Sequence, residues 1–189
     1  FIEVFYAELR TVTILDPTCG SGAFLFAALN LLEPLYEVCI SRMEEFNAHD
    51  HNCFSEPLSE IQNKYRSNIQ YFIYKSIILR NLYGVDIMAE AVEIAKLRLF
   101  LKMVAVVDVD KRAENMGLDP LPDIDFNIRC GNTLVGYATE EQLNNDLDLA
   151  ADIHQLVANQ ELKVQLHAKL RDVAATYEIF RMGQLIRDA

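Results

Sequence analysis

A carboxylate and two glycines near the start of the chain have the spacing of a ligand-binding turn. Asp16 opens the turn, and Gly20 and Gly22 form a Gly-x-Gly pair at the end of an apolar run that predicts a buried strand ending near Leu15. Glycine lets the backbone approach a ligand closely, and free N–H groups at the start of a following helix would face that ligand. A dinucleotide fingerprint would need a third glycine where Leu25 stands. Because Asp16 would repel a pyrophosphate, the turn favours a cationic ligand.

Two further polar residues follow predicted strands and would complete such a site. Asp86 ends the apolar run that begins at Leu82, where a carboxylate can accept hydrogen bonds from both hydroxyls of a ribose. Asn132 follows the next strand, and its amide can hydrogen-bond an adenine ring because it both donates and accepts. S-adenosylmethionine, a nucleoside that carries an ammonium and a sulfonium group, fits this set. The alternatives are an exposed carboxylate at a strand end and a turn-forming Gly131-Asn132 pair.

The elements that would position these residues alternate between strands and helices. Strands are predicted at 12–15, 82–87 and 126–130, and helices at 23–46 and 90–107. Apolar residues at three- and four-residue steps over 58–79 predict an amphipathic helical stretch, with Lys75 among its solvent-facing cations. The order strand–helix–strand–helix–strand predicts an α/β fold with a parallel sheet of Rossmann-like type and right-handed crossovers.

Three segments carry a family resemblance. They are 16–25 (Asp-Pro-Thr-Cys-Gly-Ser-Gly-Ala-Phe-Leu), 81–87 (Asn-Leu-Tyr-Gly-Val-Asp-Ile) and 128–134 (Ile-Arg-Cys-Gly-Asn-Thr-Leu). In this order they resemble the first three motifs of adenine-specific DNA methyltransferases of bacterial restriction–modification systems. The likeness is closest to the large enzymes that fuse methyltransferase and restriction activities in one polypeptide, and it covers roughly residues 10–137. One Gly-x-Gly turn is a weak signal, but three motifs in the correct order are a strong one.

The resemblance implies a partial Rossmann-like fold of the S-adenosylmethionine-dependent methyltransferases, with S-adenosyl-L-methionine as cofactor. The implied cofactor-binding residues are Asp16, Pro17, Cys19, Gly20, Gly22, Phe24, Asp86, Ile87 and Asn132. Ile87 is expected to touch the adenine face, because it directly follows Asp86. We reject a nucleophilic role for Cys19, which lies inside the glycine turn, since buried cysteines are inert. The implied reaction is methyl transfer to the exocyclic amino group of adenine in DNA.

The catalytic motif of that family, Asn-Pro-Pro-Tyr or Asp-Pro-Pro-Tyr, is absent from this sequence. It requires two adjacent prolines, and the prolines here stand apart, at 17, 34, 57, 120 and 122. In the family this motif follows the third one. We therefore expect that the chain ends before the catalytic motif and is the cofactor-binding part of a methyltransferase that is active only as a longer protein.

Two domains are predicted. Residues 1–137 would form the S-adenosylmethionine-binding core, with a helical insertion at about 33–80, and 138–189 would form a helical extension. In the extension an apolar seam repeats with 4-4-3-4-3 spacing at Leu162, Leu166, Leu170, Val173, Tyr177 and Phe180. A helical hairpin packed on the same domain is the first interpretation of the seam, and self-association through these helices is the second.

Composition limits the class of protein. A hydrophobic content of 51% can fill a compact core, and neither an apolar run near 18 residues nor a signal peptide is visible, so the chain is expected to be cytoplasmic and not membrane-bound. The net charge of −11 disfavours phosphate contacts, so DNA should be bound mostly through regions outside this chain. The four cysteines are expected to be reduced and unpaired. His49, His51 and Cys53 lack the four ligands that structural zinc normally needs, so no metal is expected.

Two alternatives to a DNA methyltransferase remain open on the sequence. The same cofactor fold serves several substrates, so the chain could belong to an RNA or protein methyltransferase. A non-catalytic helical interaction module that keeps a remnant cofactor fold is the hypothesis from another class. A downstream RNA-binding module would favour the first alternative, and a folded chain that binds no cofactor would favour the second.

Overall fold

A computed structural model of the chain describes residues 1–49, 54, 58–59, 61, 65, 68–109, 111, 120–137, 139–148 and 153–186. The first helices and strands are α1 (Ile2–Leu9), β1 (Ile14–Asp16), α2 (Ala23–His49), α3 (Ile69–Arg80) and β2 (Leu82–Asp86). They are followed by α4 (Ala89–Val104), β3 (Ile128–Cys130), α5 (Glu140–Asp148) and α6 (Ile153–Ile186). Helices therefore dominate the described residues, and the strands are few and short.

The three strands form a parallel sheet in the order β1-β2-β3. Ile14 pairs with Leu82, and Gly84 pairs with Ile128. Helices α2 and α3 connect β1 to β2, and α4 connects β2 to β3. Because sequential parallel strands with helical connections define the α/β class, the predicted class is confirmed as a helix-rich α/β fold with a small parallel sheet.

Strand β1 is less buried than its apolar sequence predicted. Successive side chains of a strand point to opposite faces, so Ile14 and Asp16 share one face and Leu15 lies on the other. Leu15 is 61% exposed, whereas Ile14 is half-buried. The prediction of a buried strand is therefore wrong for the Leu15 face, because the apolar run does not reveal which faces of the sheet are covered.

Helix α3 differs most from its predicted amphipathic pattern. All nine residues from Tyr71 to Leu79 are buried, including Lys75, which is only 5% exposed. The helix contacts both α2 and α4, so it has no face left for solvent. The Lys75 ammonium donates to the Tyr65 hydroxyl at 3.2 Å and lies 5.7 Å from the centre of the same ring. The prediction that Lys75 faces solvent is wrong.

Helix α2 continues through Pro34 for 27 residues. By length and composition it is apolar enough to cross a membrane. One of its faces, however, packs into the protein core at Leu25, Ala28, Leu29, Leu32, Tyr36, Cys39, Ile40 and Met43. Burial at three- and four-residue steps is typical of a core helix in an α/β protein.

The chain divides into two compact units, Phe1–Thr133 and Leu134–Ala189. The first unit holds the sheet and helices α1 to α4, and in the second unit α5 packs against α6. The division falls after residue 133, whereas the predicted domain boundary follows residue 137. The predicted insertion at 33–80 comprises most of α2 and all of α3, and most of 50–67 lies outside the described residues.

A candidate cofactor site at the carboxyl end of the sheet

The glycine turn joins the end of β1 to the start of α2. Both glycines are left-handed, with φ of +50° at Gly20 and +81° at Gly22, a region that other residues rarely adopt. A Cβ atom at Gly22 would lie 3.0 Å from the Cβ of Ala95 on α4, whereas one at Gly20 would meet nothing within 4 Å. Gly22 is thus required for packing, and Gly20 leaves open space beside the turn.

Asp86 connects the second motif to this turn. Its Oδ2 accepts a hydrogen bond from the Gly20 N–H (N···O 2.8 Å), and its Oδ1 accepts one from the Met88 N–H (2.9 Å). The Met88 and Gly20 amides hold the pKa of Asp86 below the ordinary aspartate value. Asp86 is therefore ionised at neutral pH, and each oxygen keeps a second lone pair with which to accept a ligand hydroxyl.

The first and third motifs also meet at this end of the sheet. Asp16 is half-buried and accepts a hydrogen bond from the Thr18 N–H at 3.1 Å. The Thr133 hydroxyl donates to the Pro17 carbonyl at 3.1 Å, and the Gly131 N–H donates to the Asp86 carbonyl at 2.9 Å. The loops that follow all three strands are thereby joined, so the structure brings the three motifs together.

Three predicted site residues are exposed on the segments that follow the strands. Phe24, on the first turn of α2, is 57% exposed, and Ile87, directly after Asp86, is 69% exposed. Asn132 is exposed in the loop that follows β3. Two apolar side chains and an amide are thus exposed after β1, β2 and β3. Their role in binding stays a prediction.

Cys19 is a packing residue in the structure. It is buried, and a Cβ atom at Gly84 on β2 would lie 3.1 Å from its Sγ and 2.8 Å from the Leu25 Cδ1. Burial, with smaller contributions from the charges of Asp16 and Asp86, raises the pKa of the Cys19 thiol. A protonated, buried thiol is a poor nucleophile, in agreement with the rejection of a catalytic role on the sequence.

Several residues that shape the site were missed on the sequence. Gly84 carried a usable signal, because an isolated glycine in a strand often marks a close backbone approach. Thr133 and Arg98 gave no such signal. Arg98 on α4 donates from Nη1 to the Ser21 carbonyl at 2.9 Å, and its position in the sequence does not show that it reaches the glycine turn.

No metal centre is found in the part of the chain that the structure describes, where no three His, Cys, Asp or Glu side chains are grouped to hold an ion. His49 ends α2, while His51 and Cys53 lie outside the described residues. Cys19, Cys39 and Cys130 are free thiols, as predicted. The described residues therefore give no support to a zinc site.

Each of the two units contains a groove. One, of about 330 Å³ between α4 and β3, contains Lys96, whose ammonium lies 2.6 Å from an Asp125 carboxylate oxygen and 3.0 Å from one of Glu93. The other, of about 890 Å³, lies within the second unit between α5 and α6, and its lining includes three leucines together with Glu140, His167 and Arg171. Neither presents a cluster of unpaired cations of the kind that binds phosphate.

Comparisons with known proteins identify the family of the chain. Residues 2–154 match the family model of the MmeI DNA-methyltransferase domain. A protein of Methanocaldococcus jannaschii that is named as a type II restriction enzyme and methyltransferase is 40% identical over 142 residues, which cover 74% of this chain. The chain spans only 10% of that relative's length.

No solved structure matches the chain significantly. The family match includes all three motifs and every residue of the candidate site. It confirms the resemblance to the methyltransferases of restriction–modification systems, and the chain belongs to the MmeI DNA-methyltransferase domain family.

Proposed function

We propose that the chain is the cofactor-binding part of a site-specific DNA methyltransferase that transfers a methyl group from S-adenosylmethionine to the exocyclic amino group of adenine. The observation that carries the proposal is the Asp86–Gly20 hydrogen bond, which joins the second motif to the glycine turn at the carboxyl end of a parallel sheet. Ligands of α/β proteins bind outside the carboxyl ends of the strands. The parallel strands with helical connections support a partial Rossmann-like methyltransferase fold for residues 1–137, with 138–189 as a helical extension.

The charges at this edge fit a cationic nucleoside. Asp16 and Asp86 place two carboxylates beside the turn, and Gly20 leaves open space where a side chain would stand. In the proposed complex Asp86 accepts hydrogen bonds from the ribose hydroxyls, and its two backbone partners keep it charged and oriented. The chemistry that S-adenosylmethionine supplies when bound is an activated methyl group on a sulfonium, and Asp16 attracts that cationic end.

The exposed apolar residues complete the proposed site. Ile87 contacts the adenine face, because it follows Asp86 directly, and Phe24 adds apolar surface from the start of α2. The Asn132 amide hydrogen-bonds the adenine ring edge. Pro17 and Cys19 serve the site indirectly: the Pro17 carbonyl holds the third loop through Thr133, and the buried Cys19 side chain packs between the turn and Gly84 on β2.

The surface charges support a division of labour within the longer protein. Lys96 is paired with two carboxylates, and the whole chain carries a charge of −11. Because DNA affinity depends on cations that neutralise phosphates, we infer that DNA is bound mainly by regions outside this chain. A restriction–modification methyltransferase of this kind acts on DNA in the cytoplasm, without a membrane. Self-association through the α6 seam remains the second interpretation of that helix.

Calorimetry with S-adenosylmethionine and its demethylated product tests the proposal. We expect the 189-residue chain to bind both. A chain that is folded by circular dichroism but binds neither would support the non-catalytic interaction module instead.

A transfer assay separates the substrate classes. With tritiated cofactor the chain should leave DNA unlabelled, because it has no adjacent prolines to hold an extruded adenine, and orientation of that base contributes about 7 to 11 kcal/mol. A version extended through an Asn-Pro-Pro-Tyr-type motif and a recognition domain should label adenine. Label in RNA or protein, with DNA left unlabelled, would favour the alternative methyltransferases. Labelling of adenine by the 189-residue chain alone would show that this chain already contains the catalytic residues.

A further inference from the structure

Helix α4 lies against the glycine turn with two residues one helical turn apart. A Cβ atom at Gly22 would lie 3.0 Å from the Cβ of Ala95. Arg98 donates from Nη1 to the Ser21 carbonyl at 2.9 Å, and the same atom lies 3.4 Å from the Ser21 hydroxyl. Residues three apart share a helix face, so Ala95 and Arg98 meet the turn together.

The Arg98 side chain is itself held in place. Its guanidinium carbon lies 5.1 Å from the centre of the Phe26 ring, on the first turns of α2, and the residue is half-buried. A planar guanidinium stacked on an aromatic ring is pre-organised, so little freedom is lost when it makes a hydrogen bond. Arg98 thus joins α4 to both the turn and the helix that follows it.

The Gly20–Gly22 turn needs a contact from another element to fix its conformation. Ser21 stands between two left-handed glycines, the residues with the greatest backbone freedom. The Gly20 N–H must point at Asp86, and the Gly22 N–H donates to the Cys19 carbonyl at 2.8 Å. A hydrogen bond to the Ser21 carbonyl restricts rotation of the Ser21–Gly22 peptide, and with it the direction of the Gly22 N–H.

We propose that Arg98 is a positioning residue that fixes the conformation of the Gly20–Gly22 turn and thereby sets the affinity for the cofactor. The inference rests on the proposed function. Arg98 acts through the Ser21 carbonyl and is not itself expected to touch the ligand. None of the three motifs contains it.

The test compares Arg98→Ala with Lys102→Ala in the 189-residue chain. Lys102 is a matched control, because it stands one turn further along α4 and also lies over the Phe26 ring, at 6.0 Å, while its other ring contact is Tyr74. By calorimetry, Arg98→Ala should raise the Kd for S-adenosylhomocysteine about three- to tenfold, the value of one net hydrogen bond, whereas Lys102→Ala should stay within about twofold. Arg98→Lys, which can still donate from its ammonium, should recover part of the loss.

Amide hydrogen exchange provides a readout that does not depend on the ligand. Arg98→Ala should accelerate exchange at the Gly22 amide and leave the core of α3 unchanged. Equal loss of affinity in Arg98→Ala and Lys102→Ala, or faster exchange with an unchanged Kd, would overturn the proposal. If the wild-type chain binds no cofactor, the proposed function fails, and unchanged exchange at Gly22 would separately show that Arg98 does not hold the turn.

Discussion

The two ends of the sheet use polar side chains in opposite ways. Near its amino end, Asn81 is fully buried: its Nδ2 donates to the carbonyls of Leu9 (2.8 Å) and Val12 (2.6 Å), and its Oδ1 accepts from the Tyr36 hydroxyl at 2.9 Å. Asn127 is likewise buried and donates to three backbone carbonyls, of Ile78, Leu79 and Leu82. At the carboxyl end, Asp16 and Asp86 are only half-buried and accept hydrogen bonds from backbone amides, of Thr18 for Asp16 and of Gly20 and Met88 for Asp86.

This difference distinguishes residues that stabilise the fold from residues that remain available to bind a ligand. A buried amide with several satisfied hydrogen bonds joins distant segments and is costly to remove, because its partners would be left unsatisfied. A half-exposed carboxylate with remaining lone pairs adds less to the fold and keeps capacity for a ligand. The comparison therefore predicts that substitutions at the amino end unfold the domain, whereas substitutions at the carboxyl end change binding.

The largest effect is expected for Asn81→Leu. It removes three hydrogen bonds and leaves two carbonyls and a hydroxyl buried without their partner, which should lower the free energy of unfolding by about 3 kcal/mol or more. Urea denaturation measures the loss. The matched control is Asn132→Ala at the carboxyl end, which should stay within about 0.5 kcal/mol of wild type. A loss below about 1 kcal/mol at Asn81 would remove the distinction between the two ends.

Gly22→Val should destabilise the domain and weaken cofactor binding more than Cys19→Ala does. The valine would need a left-handed conformation, which costs about 1 to 3 kcal/mol, and its Cβ would press on Ala95. Cys19→Ala removes one buried sulfur at a cost of about 1 kcal/mol. Thermal unfolding and calorimetry on both variants give the order, with circular dichroism to confirm folding. The reverse order would mean that the glycine turn is not the ligand loop.

Asp86→Asn should act on binding more than on folding. We expect it to raise the Kd for S-adenosylhomocysteine about 10- to 100-fold, because hydrogen bonds to a charged acceptor are worth more than neutral ones. Equal binding by variant and wild type would exclude Asp86 from the site.

The pH dependence sharpens this prediction. The Met88 and Gly20 amides lower the pKa of Asp86 in the folded chain, so its contribution to folding stability is present at pH values above the unfolded pKa and is lost as the pH falls through the folded one. The same lowered pKa keeps the carboxylate ionised for the ribose hydroxyls, so cofactor affinity should be flat through neutral pH and decline only in acid. Asp86→Asn should lack the part of this decline that arises from protonation of Asp86.

The smallest effect is expected for Asn132→Ala. Loss of one amide hydrogen bond to the adenine ring should raise the Kd about three- to tenfold without a change in thermal stability. Calorimetry with S-adenosylmethionine and S-adenosylhomocysteine measures this change in Kd. An unchanged Kd would favour the alternative interpretation of Gly131-Asn132 as a plain turn.

Much of the carboxyl end was predictable because its signals are local. Gly20, Gly22 and Asp86 stand at turn and strand-end positions that their own residue types favour, and the period changes that predicted three parallel strands depend on neighbours a few positions apart. The roles of Asn81 and Asn127 were not predictable in this way. An asparagine beside a strand reads as a turn residue unless the carbonyls that it bonds are known.

The sequence by itself determined the order of strands and helices from β1 to β3, the glycine turn and the acidic strand end, since these follow from periodicity and backbone preference over short spans; it did not predict α1. Tertiary structure decided that Lys75 is buried, that Leu15 is exposed and which residues meet at the site. The Gly20–Asp86, Ser21–Arg98 and Pro17–Thr133 hydrogen bonds join residues 66, 77 and 116 positions apart. Contacts over such separations depend on how helices cover the sheet, because side-chain burial and hydrogen-bond partners are properties of packing and not of local spacing.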